Sequence, residues 1–192
     1  MTAFIAMNTG VTALIARNKG TGDKKLANLV LRQGLLFTFV ATIIPVPVPM
    51  LHGYVNIGDS AVLLCAYAAG GLFGALAAGA GCAIADITLS FALYAPATFV
   101  IKAAMAFCAY LFFKNGKMIF RAAGCVVAEI IMVLGYLVFE FFLYGAGCLA
   151  SVPGNLIQGG ANAVVGFCLI SVPAKNKYLT KYCGVHNGKS KL

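Results

Sequence analysis

The sequence predicts an all-α, polytopic membrane protein with six transmembrane helices and both termini on the cytoplasmic side. Of its 192 residues, 61% are hydrophobic and only 10% are charged, whereas an ordinary soluble domain carries about 25% charged residues. The mean hydropathy is +0.93, and several apolar runs approach the roughly 20 residues that a membrane-spanning helix needs. The basic residues are clustered between these runs, as is typical of cytoplasmic loops.

The positions of the apolar runs and of the basic clusters together decide the number of helices. The run from Ala61 to Leu93 is too long for one helix and is interrupted at Gly70-Gly71. Dividing it places all three basic clusters on one side of the membrane and leaves the loops of the other side without lysine or arginine. The predicted spans are Leu26–Ile44, Ala61 to Gly70, Gly71–Leu93, Ala97–Phe113, Met118–Tyr144 and Val152–Val172.

The same pattern predicts the domain organisation. A six-helix, substrate-binding membrane domain is predicted over residues 26–172, preceded by a cytoplasmic or interfacial arm at residues 1–25 and followed by a basic cytoplasmic tail at residues 173–192. Between the first two helices, the segment Pro45–Pro49 stops the helix and predicts an extended, stiff start to the connecting loop.

Several classes of function are disfavoured by composition. The net charge of +9 comes from clusters that flank apolar runs, which favours a lipid partner over nucleic acid. The seven cysteines are scattered singly, with no CxxC pair, so we predict packing roles and no metal or other cofactor. The two histidines, His52 and His186, fall in predicted loops without a nucleophile beside them, so we predict that the chain is not an enzyme and has no catalytic residues.

Ionisable side chains inside a membrane are costly and often mark functional sites. Five lie in or at the edge of the apolar runs: Asp59, Asp86, Lys102, Glu129 and Glu140. Each has a structural alternative. Asp86 and Lys102 are either a structural ion pair or ligand contacts, Asp59 is either a helix cap or a ligand contact, and Glu129 either meets a neighbouring helix or faces the solute.

Polar residues recur at helical spacing on the last three predicted spans. Residues three, four and seven positions apart share one face of a helix, so the three stripes predict one outward-facing cavity for a polar, aromatic solute. With the loop that follows the first helix, the predicted substrate-binding residues are Asn56, Asp59, Thr98, Lys102, Glu129, Tyr136, Glu140, Asn155, Gln158 and Asn162.

Four motifs resemble the substrate-binding S components of energy-coupling factor (ECF) vitamin transporters, in particular the riboflavin-type subfamily that includes hydroxymethylpyrimidine and pyridoxine binders. The motifs are Gly53-Tyr54-Val55-Asn56-Ile57-Gly58-Asp59, Ala85-Asp86, Ala95-Pro96-Ala97-Thr98 followed by Lys102, and Pro153-Gly154-Asn155-Leu156-Ile157-Gln158.

The resemblance implies a six-helix bundle in the cell membrane whose outer-face site is lidded by the loop between the first two helices. It implies three partner subunits, a transmembrane scaffold and two ATPases, with the scaffold docking on alanines spaced four apart in the first helix; this chain keeps the spacing with other residues. The matching positions are Gly34, Thr38 and Thr42. The expected function is capture of a water-soluble vitamin or precursor, hydroxymethylpyrimidine or pyridoxine-like before riboflavin, for ATP-driven uptake. The alternative is a self-sufficient transporter that uses Glu129 and Glu140 as proton sites.

Overall fold

The computed structural model describes residues 34–41, 45–48 and 53–175. Within them, six helices follow one another in the order that the sequence predicts, and the all-α fold class is confirmed. Helix α1 covers residues 34–41 in the described part. The other helices are α2 (Gly58–Ala68), α3 (Gly71–Thr88), α4 (Ala95–Phe113), α5 (Met118–Tyr144) and α6 (Val152–Lys175), with a 3₁₀ helix (Gly145–Ala150) before the last.

The loop between α1 and α2 forms a small hairpin that was not expected from the sequence. Strand β1 (Pro45–Val48) pairs antiparallel with strand β2 (Gly53–Asn56), and Pro45 lies opposite Asn56. The extended conformation of the proline-rich segment was predicted, but its pairing was not, because β2 lacks a clear alternation of polar and apolar residues. The predicted arm at 1–25 and most of the tail at 173–192 lie outside the described residues.

The long apolar run divides at Gly70-Gly71, as predicted. Gly70 and Gly71 have φ angles of 64° and 53°, a left-handed conformation that glycine adopts without steric cost and that ends α2 before α3 begins. In the described part of the chain, three helical segments are long and apolar enough to cross a membrane: Gly71–Thr88, Ala95–Phe113 and Met118–Ala150.

Helix α2 is short and lies in the middle of the bundle. All 11 of its residues are buried, and it contacts α3, α4 and α6. A helix surrounded by other helices is apolar on every side, which explains why its sequence shows no distinct buried face. Helices α2 and α4 contact each other near the predicted cytoplasmic end, where the rings of Tyr67 and Phe113 pack edge to face with centroids 6.0 Å apart.

Glycines on α3 allow close helix contacts on two sides. A Cβ atom at Gly79 would lie 2.6 Å from the carbonyl oxygen of Phe99 on α4, and one at Gly81 would lie 2.7 Å from that of Leu35 on α1. Small residues at such spacing let helix backbones approach in lipid. Helix α3 is therefore held tightly between α1 and α4.

Two of the three predicted docking positions, Gly34 and Thr38, face the interior in this structure. A Cβ atom at Gly34 would lie 3.2 Å from that of Ala77, and the Thr38 hydroxyl donates to the Gly34 carbonyl oxygen at 2.6 Å in a fully buried position. The exposed face of α1 carries Leu36 and Val40 instead. Thr42 lies outside the described residues, and docking of a scaffold on this stripe stays a prediction.

Candidate functional site

A cavity of about 430 Å³ opens at the end of the bundle that the charge pattern assigns to the outside. Its size falls within the range of about 300–1,000 Å³ that is typical of small-molecule sites. The starts of α2, α4 and α6 and the ends of α3 and α5 meet there. The lining residues are Asn56, Gly58, Asp59, Cys82, Asp86, Phe91, Tyr94, Thr98, Lys102, Tyr136, Glu140, Tyr144, Asn155 and Gln158.

A buried ion pair forms one wall of the cavity. The Lys102 ammonium on α4 contacts the Asp59 carboxylate on α2, and the side chains are 6% and 2% exposed. The Gln158 amide on α6 donates to the other carboxylate oxygen of Asp59 at 2.9 Å. Buried charges are stable when they are paired and hydrogen-bonded. Asp59 therefore joins three helices. Lys102 forms its ion pair with Asp59, and not with Asp86, which was one of the two alternatives that the sequence left open.

The local fold at the start of α2 explains how Asp59 reaches this position. The Asn56 side-chain oxygen accepts a hydrogen bond from the Gly58 backbone N–H at 2.6 Å, which closes the turn between β2 and α2. Ile57 is the N-cap residue of α2, so Asp59 lies inside the first turn and is not the helix cap. Its negative charge is favoured there by the helix dipole, while its oxygens stay available for Lys102 and Gln158.

Asn162 attaches the hairpin to α6 and does not line the cavity. Its amide nitrogen donates to the Asn56 carbonyl oxygen at 2.7 Å, and its oxygen accepts from the Ser60 backbone N–H at 3.0 Å and from the Ser60 hydroxyl at 2.7 Å. Asn162 is 2% exposed. It therefore positions the end of β2 and the start of α2 above the cavity.

Helices α4 and α5 contribute further polar groups to the lining. The hydroxyls of Thr98 and Tyr136 are 2.9 Å apart, and the Lys102 ammonium lies 5.3 Å from the centre of the Tyr136 ring. Thr98 and Lys102 also interact electrostatically with the Asp86 carboxylate at the end of α3. Two hydroxyls, an ammonium and a carboxylate thus lie close together in the lining of the cavity, beside the aromatic ring of Tyr136.

The rim is aromatic and acidic. The Tyr94 hydroxyl donates to that of Tyr144 at 3.3 Å, and the Tyr94 ring packs edge to face on Phe139 with centroids 5.3 Å apart. Burial, assisted by the bond to Tyr144, raises the pKa of the Tyr94 phenol above its ordinary value, so the hydroxyl stays neutral at physiological pH. Beside it, the Ser151 hydroxyl donates to the Glu140 carboxylate, which is 9% exposed.

Glu129 lies outside this cavity. It faces α6 at Gly159, where an added Cβ would be 3.3 Å from the Glu129 Cβ, and it lines a separate apolar groove of about 380 Å³ between α5 and α6. Glu129 is 5% exposed, and neither carboxylate oxygen has a hydrogen-bond partner among the described residues.

The structure thus brings eight of the ten predicted binding residues to one cavity and places Asn162 behind it and Glu129 in the groove. Whether the eight contact a solute stays a prediction. Sequence reasoning left Asp86 open and did not place Gly58, Cys82, Phe91, Tyr94 or Tyr144 in the site. Cys82 and Asp86 are four residues apart on α3, a spacing that would have indicated a fourth stripe. Within the described ranges, no three His, Cys, Asp or Glu side chains are grouped to hold a metal ion.

Comparison with known proteins assigns the family. Residues 34–175 match the family described as "ECF-type riboflavin transporter, S component". The chain is also 32% identical over 131 residues to a Pyrococcus woesei protein described as an uncharacterized protein in the gap 3′ region, an alignment that covers 67% of this chain and 88% of that protein. The chain therefore belongs to the family of ECF-type riboflavin transporter S components, multi-pass membrane proteins that serve as substrate-binding subunits of ECF transporters and are not enzymes.

Proposed function

We propose that the chain captures a water-soluble vitamin or vitamin precursor from the outer side of the cell membrane and delivers it for ATP-driven uptake by an ECF scaffold subunit and two ATPase subunits. The observation that carries this proposal is the position of the cavity. It lies at the end of the bundle whose loops lack lysine and arginine, and it is bordered by the end of the hairpin at Asn56.

The chemistry of the lining supports a small polar ring as the solute. Amides at Asn155 and Gln158 and hydroxyls at Thr98 and Tyr136 offer both donors and acceptors, and aromatic rings at the rim can stack on a heterocycle. A hydroxymethylpyrimidine or a pyridoxine-like ring fits this combination, and riboflavin is the next candidate. The binding residues would be Asn56, Asp59, Thr98, Lys102, Tyr136, Glu140, Asn155 and Gln158.

The first experiment is mass spectrometry of small molecules released when the detergent-purified chain is denatured. One equivalent of a vitamin or precursor would identify the solute directly. A chain that releases nothing and binds none of the water-soluble vitamins with micromolar affinity would contradict the proposal.

The mode of uptake is tested separately in proteoliposomes. Uptake that requires the scaffold, the ATPases and ATP supports the proposal. Uptake by the chain alone, driven by a proton gradient, would support the proton-coupled alternative instead. The observation that favours it is the buried Glu129 carboxylate, which has no hydrogen-bond partner among the described residues.

A further inference from the structure

The charges that line the outer cavity do not cancel. Among the described lining residues there are three carboxylates, on Asp59, Asp86 and Glu140, and one ammonium, on Lys102, which leaves a formal charge of −2. The ion pair consumes Asp59 and Lys102. The excess negative charge therefore belongs to Asp86 and Glu140.

These two carboxylates lie where their own helices do not compensate them. Asp86 is in the last turn of α3 and Glu140 is close to the end of α5, and neither helix has a basic residue in its last turn. A helix C-terminus carries about half a negative charge and an N-terminus about half a positive one. Three N-termini and two C-termini meet at the cavity, so the helices together contribute about half a positive charge, which is too little to offset two carboxylates.

Aromatic rings accompany the two carboxylates. Phe91, Tyr94, Tyr136 and Tyr144 all line the cavity. Lys102 already lies over the Tyr136 ring at 5.3 Å from its centre. The faces of such rings attract cations, and clusters of aromatic side chains are a common means of binding quaternary or protonated nitrogen.

We infer that the solute of this cavity is a positively charged aromatic heterocycle, with Asp86 and Glu140 as the residues that select its charge. This inference rests on the proposed binding function and narrows its substrate class. A ring that carries an ammonium group or a cationic ring nitrogen is favoured by the carboxylates and the aromatic faces. A neutral ring loses that attraction, and a phosphorylated derivative is repelled.

The test is built on two ligands that differ in charge but hardly in shape, and it adds ligands of other sizes. Isothermal titration calorimetry on the full-length, detergent-purified chain compares pyridoxine with pyridoxamine, which has an ammonium group in place of one hydroxyl, and with pyridoxamine phosphate. Thiamine, a permanent cation, and riboflavin, which is neutral, extend the comparison to larger rings. We expect pyridoxamine to bind at least about tenfold more tightly than pyridoxine, because a hydrogen bond between charged groups is stronger than one between neutral groups. Pyridoxamine phosphate should bind more weakly than either.

Two isosteric substitutions assign the effect to residues. Asp86→Asn and Glu140→Gln should each reduce the preference for the cation by about tenfold. Asn115→Lys, an exposed change in the loop between α4 and α5 that alters the net charge by the same amount, should leave it unaltered. The preference for the cationic ligand is measured on the unsubstituted chain, so this part of the test does not depend on whether the variants fold. The preference should weaken as the salt concentration is raised.

The outcomes separate the inference from the function on which it rests. Tight binding of pyridoxine with no preference for pyridoxamine, or tight binding of riboflavin but not of thiamine, would overturn the inference and leave the binding function intact. A preference that survives both substitutions would overturn the assignment to Asp86 and Glu140. Failure of all five compounds to bind would refute the proposed function for these solutes, and the inference with it.

Discussion

Replacing Asp59 by asparagine should destabilise the bundle by about 3–5 kcal/mol, because it leaves the Lys102 ammonium buried without a counter-ion. The environment gives the magnitude. Lys102 is 4% exposed, so water cannot replace the lost carboxylate, and the charge-assisted hydrogen bond from Gln158 is weakened as well. For a chain of this size, each kcal/mol corresponds to about 2–4 °C in melting temperature, so we expect a decrease of roughly 6–20 °C.

Titration with a denaturing detergent in mixed micelles measures the free energy of unfolding. A thiol-reactive dye follows thermal unfolding, since the chain has no tryptophan but has buried free thiols at Cys65, Cys82 and Cys125. Ser171→Ala, which removes a partly buried hydroxyl far from the ion pair, is the control and should change stability by less than about 0.5 kcal/mol.

A double-mutant cycle measures the interaction energy between Asp59 and Lys102 apart from their contacts with other residues. Lys102→Met alone should also be destabilising, whereas the double variant Asp59→Asn, Lys102→Met should cost about 0.5–3 kcal/mol less than the sum of the two single changes. Additive effects, or a cost below about 1 kcal/mol for Asp59→Asn alone, would refute the reasoning. The second result would indicate that another carboxylate, such as Asp86, takes the place of Asp59.

Three further substitutions test packing and buried polar groups by the same unfolding measurements. Gly81→Ala should lower the free energy of unfolding by about 1–3 kcal/mol, because the added methyl group pushes α1 away from α3. Gly160→Ala is the control, because open space surrounds Gly160, and it should be neutral or raise the free energy of unfolding by up to about 1 kcal/mol. Equal effects of the two changes would contradict the close approach of α1 to α3. Glu129→Met should stabilise the chain by about 1–3 kcal/mol, because it removes a buried carboxylate that has no hydrogen-bond partner in the described part of the chain; a loss of stability would reveal a partner. Asn162→Leu should cost at least about 1–3 kcal/mol, since it removes the acceptor of the Ser60 N–H and the donor to the Asn56 carbonyl oxygen; an unchanged stability would exclude Asn162 as the attachment of the hairpin.

The sequence predicted which faces of the helices are polar but not the depth at which each polar group lies. Glu129, Tyr136 and Glu140 share one face of α5 by their spacing. Glu129 and Glu140 are 11 positions apart, however, which is about 16 Å along a helix axis. The cavity ends before Glu129, so the same stripe supplies both a lining residue and a residue of the α5–α6 groove.

The partner of Lys102 could not be predicted for a different reason. Both Asp59 and Asp86 fall near the outer ends of their helices, and charge alone allows either pairing. The choice depends on α2 being inserted in the middle of the bundle, where its first turn reaches α4. An all-round apolar helix gives no periodic signal of that position. The hydrogen bonds of Asn162 could not be predicted from the sequence either, since a side-chain amide can form hydrogen bonds with a ligand or with the backbone.

The contacts divide the cavity residues into two groups that mutagenesis can tell apart. Asp59, Lys102 and Gln158 satisfy one another across three helices, so changing any of them should alter stability and solute affinity together. Asp86 and Glu140 carry the excess negative charge of the cavity, and Asp86 is only half-buried, so Asp86→Asn should alter affinity more than stability. If affinity followed stability to the same extent in both groups, the cavity would be a packing defect of the outer bundle end, because a binding site must contain groups whose interactions are completed only by its ligand.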